Sequence, residues 1–178
     1  MMVRRKHVRA AAAELLERFE FEKTPVPVEK VARALGISVQ RSPVDDDDLS
    51  GFLYRNRKDA ITVIGVNESH AKARQRFTIA HEIGHFILHD MDDVHVDRGF
   101  SVKLRSGASS EGRNIEEIEA NLFAAELLMP KEFLDRDLAD IDSVDLVDEE
   151  VIADLARRYG VSTQAMTFRL GYLGYVQL

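Results

Sequence analysis

The sequence predicts an α+β fold: a small antiparallel sheet packs on a helix carrying an HExxH motif and on a second, glutamate-bearing helix, with a C-terminal helical segment following. Three observations predict it. The stretch 71–90 repeats apolar residues at three- and four-residue steps around His81, Glu82 and His85. Two β-rich runs, GFLYRN (51–56) and AITVIGV (60–66), flank a short polar link, the signature of a hairpin. A second helical period, IEEIEANLFAAELLM (115–129), runs up to Pro130.

Composition sets the frame. With 178 residues, 45% of them hydrophobic, the chain can build one ordinary core, so residues 1–178 are read as a single domain that includes the helical segment 147–178. There is no cysteine, which excludes disulfides, thiolate metal ligands and a thiol nucleophile. Any metal must be held by histidine and carboxylate. The net charge of −7 argues against a general nucleic-acid binder. No run is long enough to span a bilayer, and Glu14, Glu17, Arg18 and Glu20 break the opening apolar stretch that an export signal would need. The expected location is the cytoplasm.

In chain order, residues 3–21 form an amphipathic helix with Val8, Ala11, Ala12, Leu15, Leu16 and Phe19 on its apolar side, stopped by Thr24, Pro25 and Pro27. A short helix over 28–35 ends at Gly36 and passes into an extended segment, 37–41. The four acidic residues Asp45 to Asp48 read as a solvated loop, because EF-hand spacing and its glycine are missing. The hairpin follows, and then Asn67 or Ser69 is placed to cap the motif helix. Residues 103–114 have no apolar period and read as a loop near the site. His95 falls between them and the motif helix and could face either the cleft or solvent, solvent being the default reading. Near the end, VIADLARRYGVSTQAMTFRLGYLGYV has a helix, Gly160, and a second helix opening at Ser162. Between Ser162 and Arg169 it carries one cation, too few for a DNA-recognition helix.

The chemistry lies in the motif helix. At about 100° per residue, His81 and His85 sit about 40° apart and one turn along, so one ion can be reached by both imidazoles. Glu82 lies about 100° from His81 and about 60° from His85, where a carboxylate can act as a base on a water without being a ligand. Gly84 costs about 1 kcal/mol against alanine in a helix interior, which predicts the close crossing of another helix there. A catalytic zinc held by two histidines needs a third protein ligand, commonly His or Glu. Glu119 and Glu126, on a stripe beside the apolar one, are the candidates; His89, one turn beyond His85, is read as a packing or supporting residue and is a ligand only as the outside alternative.

RFTIAHEIGHFILH (76–89) followed by EANLFAAELLMP (119–130) resembles the ImmA/IrrE family of metallopeptidases, the similarity extending over about 26–130. The resemblance implies a gluzincin-like zinc site with His81 and His85 as ligands, Glu82 as general base and Glu119 as third ligand, Glu126 being supporting or structural. It implies Zn2+ as the cofactor and a protein substrate, such as a helix-turn-helix repressor or an antitoxin-like protein. A metzincin site fits less well, since its third histidine falls at Met91.

The expected function is therefore a zinc-dependent endopeptidase that cuts a regulatory protein at a specific site. Tyr54, His95 and Tyr172 are candidates for stabilising the oxyanion. The rival is a regulator that binds DNA or protein through its C-terminal helices and carries a non-catalytic metal site. Membrane binding is not expected.

Overall fold

The computed structural model describes residues 2–90, 94–97, 110–139 and 148–176. Among these, helices α1 (Arg5–Arg18) and α2 (Val28–Ala34) precede strands β1 (Ser38–Ser42), β2 (Gly51–Asn56) and β3 (Ile61–Asn67). Then come α3 (Lys72–Leu88), β4 (Val94–Asp97), α4 (Ser110–Leu128), α5 (Lys131–Leu138), α6 (Glu149–Tyr159) and α7 (Thr163–Leu173). The architecture is the expected α+β one.

The sheet has the order β1-β3-β2-β4. β2 and β3 form the antiparallel hairpin, and β4 adds antiparallel to β2. β1 joins β3 in parallel, which makes the whole sheet mixed. A hairpin joins antiparallel strands directly, whereas the connection from β1 to β3 passes through β2 and returns parallel. Both hairpin strands thus become interior strands, and among the described residues β4 forms one edge. Alternation along β2 buries Leu53 and exposes Phe52, so the Leu53 side faces the helices.

α3 runs through the centre of the core. Ile79, Ala80 and Ile83 are fully buried, as are Phe123, Ala124 and Leu127 of α4. Each large aliphatic or aromatic side chain buried this way contributes about 1.5–3 kcal/mol relative to exposure. The crossing expected at Gly84 is present: a Cβ there would stand 3.2 Å from the Ala120 backbone and 3.0 Å from Phe123 Cδ1. Glycine therefore sets how closely α4 approaches.

Two local expectations are corrected. Neither Asn67 nor Ser69 caps α3, whose N-cap position is Ala71 without a side-chain cap. Asn67 instead ties down the acidic loop, accepting from the Val44 and Ser69 amides and donating to the Val44 and Leu49 carbonyls. α4 begins at Ser110 rather than near Ile115, so residues 110–114 of the expected loop are helical. The rest of that loop, 103–109, and Met91 lie outside the described residues.

The C-terminal helices have the expected outline. Ser162 caps α7 through its hydroxyl, and Gly160 closes α6 in the left-handed conformation at φ 65°. Their apolar residues Ile152, Leu155, Met166 and Leu170 join the same core as α3 and α4. Arg76 of α3 donates to the Gly160 and Val26 carbonyls and links this corner to the segment that leads into α2.

Candidate metal centre

The site is assembled by three elements. α3 supplies His81 and His85, whose Nε2 atoms stand 3.0 Å apart. α4 crosses at Gly84 and brings Glu117 over them, with Oε2 3.4 Å from His81 Nε2 and Oε1 3.4 Å from His85 Nε2. β4 adds His95, 3.3 Å from Glu117, because its pairing with the inward-facing Leu53 turns it to the helix side of the sheet. The donor atoms of His81, His85, His95 and Glu117 all lie within 4.8 Å of one another.

These distances fit a metal ion. Tetrahedral zinc with ligand bonds of about 2.0–2.2 Å holds its donor atoms about 3.3–3.5 Å apart, close to the separations seen here. The donor set of imidazoles and one carboxylate suits zinc or a similar divalent cation. His81 is also oriented for the task. Its Nδ1 lies 3.0 Å from Asn121 Oδ1, so the ring donates there and keeps the Nε2 lone pair for the ion. Asn121 and Glu117 are one helical turn apart on α4 and face the site together.

Electrostatics support the same protonation. Burial pushes His85 down to about 3, against the pull of Glu117 and with the aid of His81 and His95, so it is neutral at physiological pH. Burial alone would raise Glu117, but hydrogen bonds from the His81 and His85 Nε2 atoms, which a bound cation would replace, outweigh it and hold the carboxylate well below its ordinary value. Neutral imidazoles and an ionised carboxylate are the forms that bind a cation. Glu117 is 40% exposed, which gives the cluster a wet side.

Of the residues singled out in the sequence, His81 and His85 meet as expected, and Glu82 lies fully buried between them on α3. Glu119 is held elsewhere. Its carboxylate is gripped by Arg4 at 2.6 Å and accepts from His89 at 3.2 Å. On a helix Glu119 points about 200° away from Glu117, so only one of them can face α3's histidines. The shared face of Glu117 and Asn121 was the available signal, since a histidine ligand needs an orienting acceptor. His95, for which the sequence left cleft and solvent open with solvent as the default, is a member of the cluster. Glu126 pairs with Arg169 at 2.6 Å. Tyr172 is engaged with Arg5 and Arg9, and Tyr54 lies on the sheet face opposite His95.

The class that this fold and cluster define is an α+β scaffold with an HExxH metal-binding cluster. Residues 32–171 match the family model Peptidase_M78, the IrrE N-terminal-like domain, and the chain belongs to that family. It is 34% identical over 111 residues to the radiation response metalloprotease IrrE of Deinococcus deserti, covering 61% of this chain and 35% of that protein. The Deinococcus radiodurans protein of the same name is 33% identical over 107 residues, 58% of this chain and 25% of its own length. The chain thus spans about a third or less of these relatives. A Mycobacterium tuberculosis transcriptional regulator shares the fold, with a TM-score of 0.64, 18% identity, and coverage of 93% of this chain and 46% of that one. Among the described residues, no helix is long and apolar enough to cross a membrane.

Proposed function

We propose that the chain is a zinc-dependent endopeptidase acting on a regulatory protein, such as a helix-turn-helix repressor or an antitoxin-like protein. The observation that carries the reading is the convergence of His81 Nε2, His85 Nε2 and the Glu117 carboxylate within 3.4 Å at the helix that carries the buried Glu82. Those three residues hold the ion in this reading, Glu117 taking the place that the sequence resemblance gave to Glu119. When bound, zinc would supply Lewis-acid polarisation of a peptide carbonyl and a lower pKa for water. Glu82 takes the proton of the attacking water and passes it to the leaving amine nitrogen. His95, beside the ligands, donates a hydrogen bond to the developing oxyanion.

The sheet order supports an extended peptide as substrate. Among the described residues β4, which carries His95, has a partner strand on one side only, so a peptide pairing with its other side would lie beside the cluster. The sequence's acidic balance suits a basic partner. The rival DNA-binding reading is disfavoured because Arg169, the only cation from Ser162 to Arg169, is buried against Glu126. A chain without cysteine suits the reducing cytoplasm, where such a repressor works.

The test incubates the chain with zinc and a candidate repressor from a neighbouring gene, and maps the fragments by mass spectrometry. One or a few cuts in the repressor, absent with Glu82→Gln, are expected, with casein left largely intact. Rapid casein digestion without repressor cleavage would replace this reading with a general peptidase.

A further inference from the structure

Beyond the cluster itself, a chain of hydrogen bonds runs from His85 to the N-terminal helix. His85 Nδ1 lies 3.1 Å from His89 Nδ1, and His89 Nε2 lies 3.2 Å from Glu119 Oε2. Glu119 in turn receives four hydrogen bonds from Arg4: from Nη2 at 2.6 Å, from Nε at 3.1 and 3.2 Å, and from the Arg4 backbone amide at 2.6 Å. His85 is fully buried, Glu119 is 1% exposed and His89 7%. A further Arg4 bond, Nη2 to the Leu88 carbonyl at 3.2 Å, ties the same guanidinium to the last turn of α3.

The direction of every bond is fixed by counting protons. If His85 Nε2 offers its lone pair to an ion, its single proton sits on Nδ1 and must be donated to His89 Nδ1. His89 then carries its own proton on Nε2 and donates it to Glu119, an acceptor at both oxygens. Arg4 has only donors to offer, so the carboxylate is satisfied as an anion. No alternative tautomer of His89 keeps both contacts, because a proton on its Nδ1 would face the His85 proton and leave Nε2 lone pair against carboxylate.

We propose that Arg4, Glu119 and His89 are positioning residues that fix the tautomer and ring orientation of His85 for metal binding, so that Arg4, the N-cap residue of α1 and outside the family-matched residues 32–171, completes the metal site. The geometry accounts for a buried glutamate that stands apart from the clustered donor atoms, and for an arginine reaching across 115 residues of sequence to meet it. It also gives the two histidines matching support, Asn121 behind His81 and the relay behind His85. Partners of this kind typically change metal affinity by about 10- to 100-fold.

The inference rests on His85 being a ligand, and the experiment separates the two. Zinc affinity is measured by chelator competition, and the visible spectrum by cobalt(II) loading, for the wild type and for His85→Ala, Glu119→Gln, Arg4→Met, Arg4→Lys and Arg9→Met. Arg9 is the control because it also tethers α1, through Glu126 and Tyr172, without touching the relay. Glu119→Gln and Arg4→Met are expected to weaken zinc by about 10-fold or more and shift the cobalt spectrum. Arg4→Lys should recover part of the loss, the Arg4→Met/Glu119→Gln pair should be no worse than the stronger single variant, and Arg9→Met should match wild type. Unchanged affinity and spectrum in Arg4→Met and Glu119→Gln, even with lowered thermal stability, would overturn the proposal. So would an equal loss in Arg9→Met, which would mean that α1 acts only as a tether. If instead His85→Ala binds zinc as tightly as wild type, the ligand assignment fails and the relay falls with it.

Discussion

The Arg169 guanidinium lies against the Glu126 carboxylate in two hydrogen bonds of 2.9 and 2.6 Å, with Arg169 itself 2% exposed. Nε of the same arginine donates to the Met129 carbonyl, so its charge holds the end of α4 to α7. An outline that resembles a DNA-reading motif is thereby used for packing. Glu126→Ala should cost about 3–5 kcal/mol in unfolding free energy by denaturant titration, because it leaves a buried cation unpaired. Replacing both residues by leucine or methionine should cost much less, and equal losses would show that the pair is not the source.

Glu117→Ala should remove most bound metal, as should His85→Ala, while Glu119→Gln retains a weaker site. Metal content after dialysis against a weak chelator gives the ranking. Full occupancy in Glu117→Ala with none in Glu119→Gln would return the ligand role to Glu119.

Glu82→Gln preserves size and removes the base. It should keep metal and thermal midpoint but lose about 10²- to 10⁴-fold in the rate of peptide hydrolysis. Wild-type turnover in that variant would sink the assignment.

Metal-free protein should lose stability as pH falls. His85 is held neutral near a folded value of about 3, below its ordinary 6.5, so the unfolded chain binds the extra proton and stability declines from about 6.5 downward. Glu119 adds to the decline at lower pH. Hydrogen bonds from Arg4 hold it down to about 2 against an ordinary 4.5, and its stabilisation is lost as pH falls from about 4.5 toward 2. Thermal midpoints at pH 7.5, 6 and 5 read the first part, and a midpoint flat across that range would contradict it.

Gly84→Val should destabilise by about 1–3 kcal/mol, because the new side chain meets the Ala120 backbone 3.2 Å from its Cβ. Since the same crossing sets the height of Glu117 above the histidines, metal affinity should fall in parallel. Loss of stability with unchanged metal affinity would separate the two roles.

What the sequence determined by itself is what local periodicity controls. The i, i+4 spacing of His81 and His85 on one helical face, the glutamate between them, the glycine inviting a crossing helix and the β2–β3 hairpin are all relations within a few residues. Helix and strand geometry fix such relations before any tertiary contact forms. The tertiary structure decided which groups meet those histidines. Glu116, Glu117 and Glu119 share one turn of α4, and the rotation of α4 as it packs over Gly84 selects Glu117 and Asn121 for the site and turns Glu119 toward Arg4. His95 enters through the register of β4 on β2, where a slip of one residue would send it to the other face. Arg4 and Glu119 are 115 residues apart, and no local pattern can encode that contact, because it exists only once α1 has docked on α4.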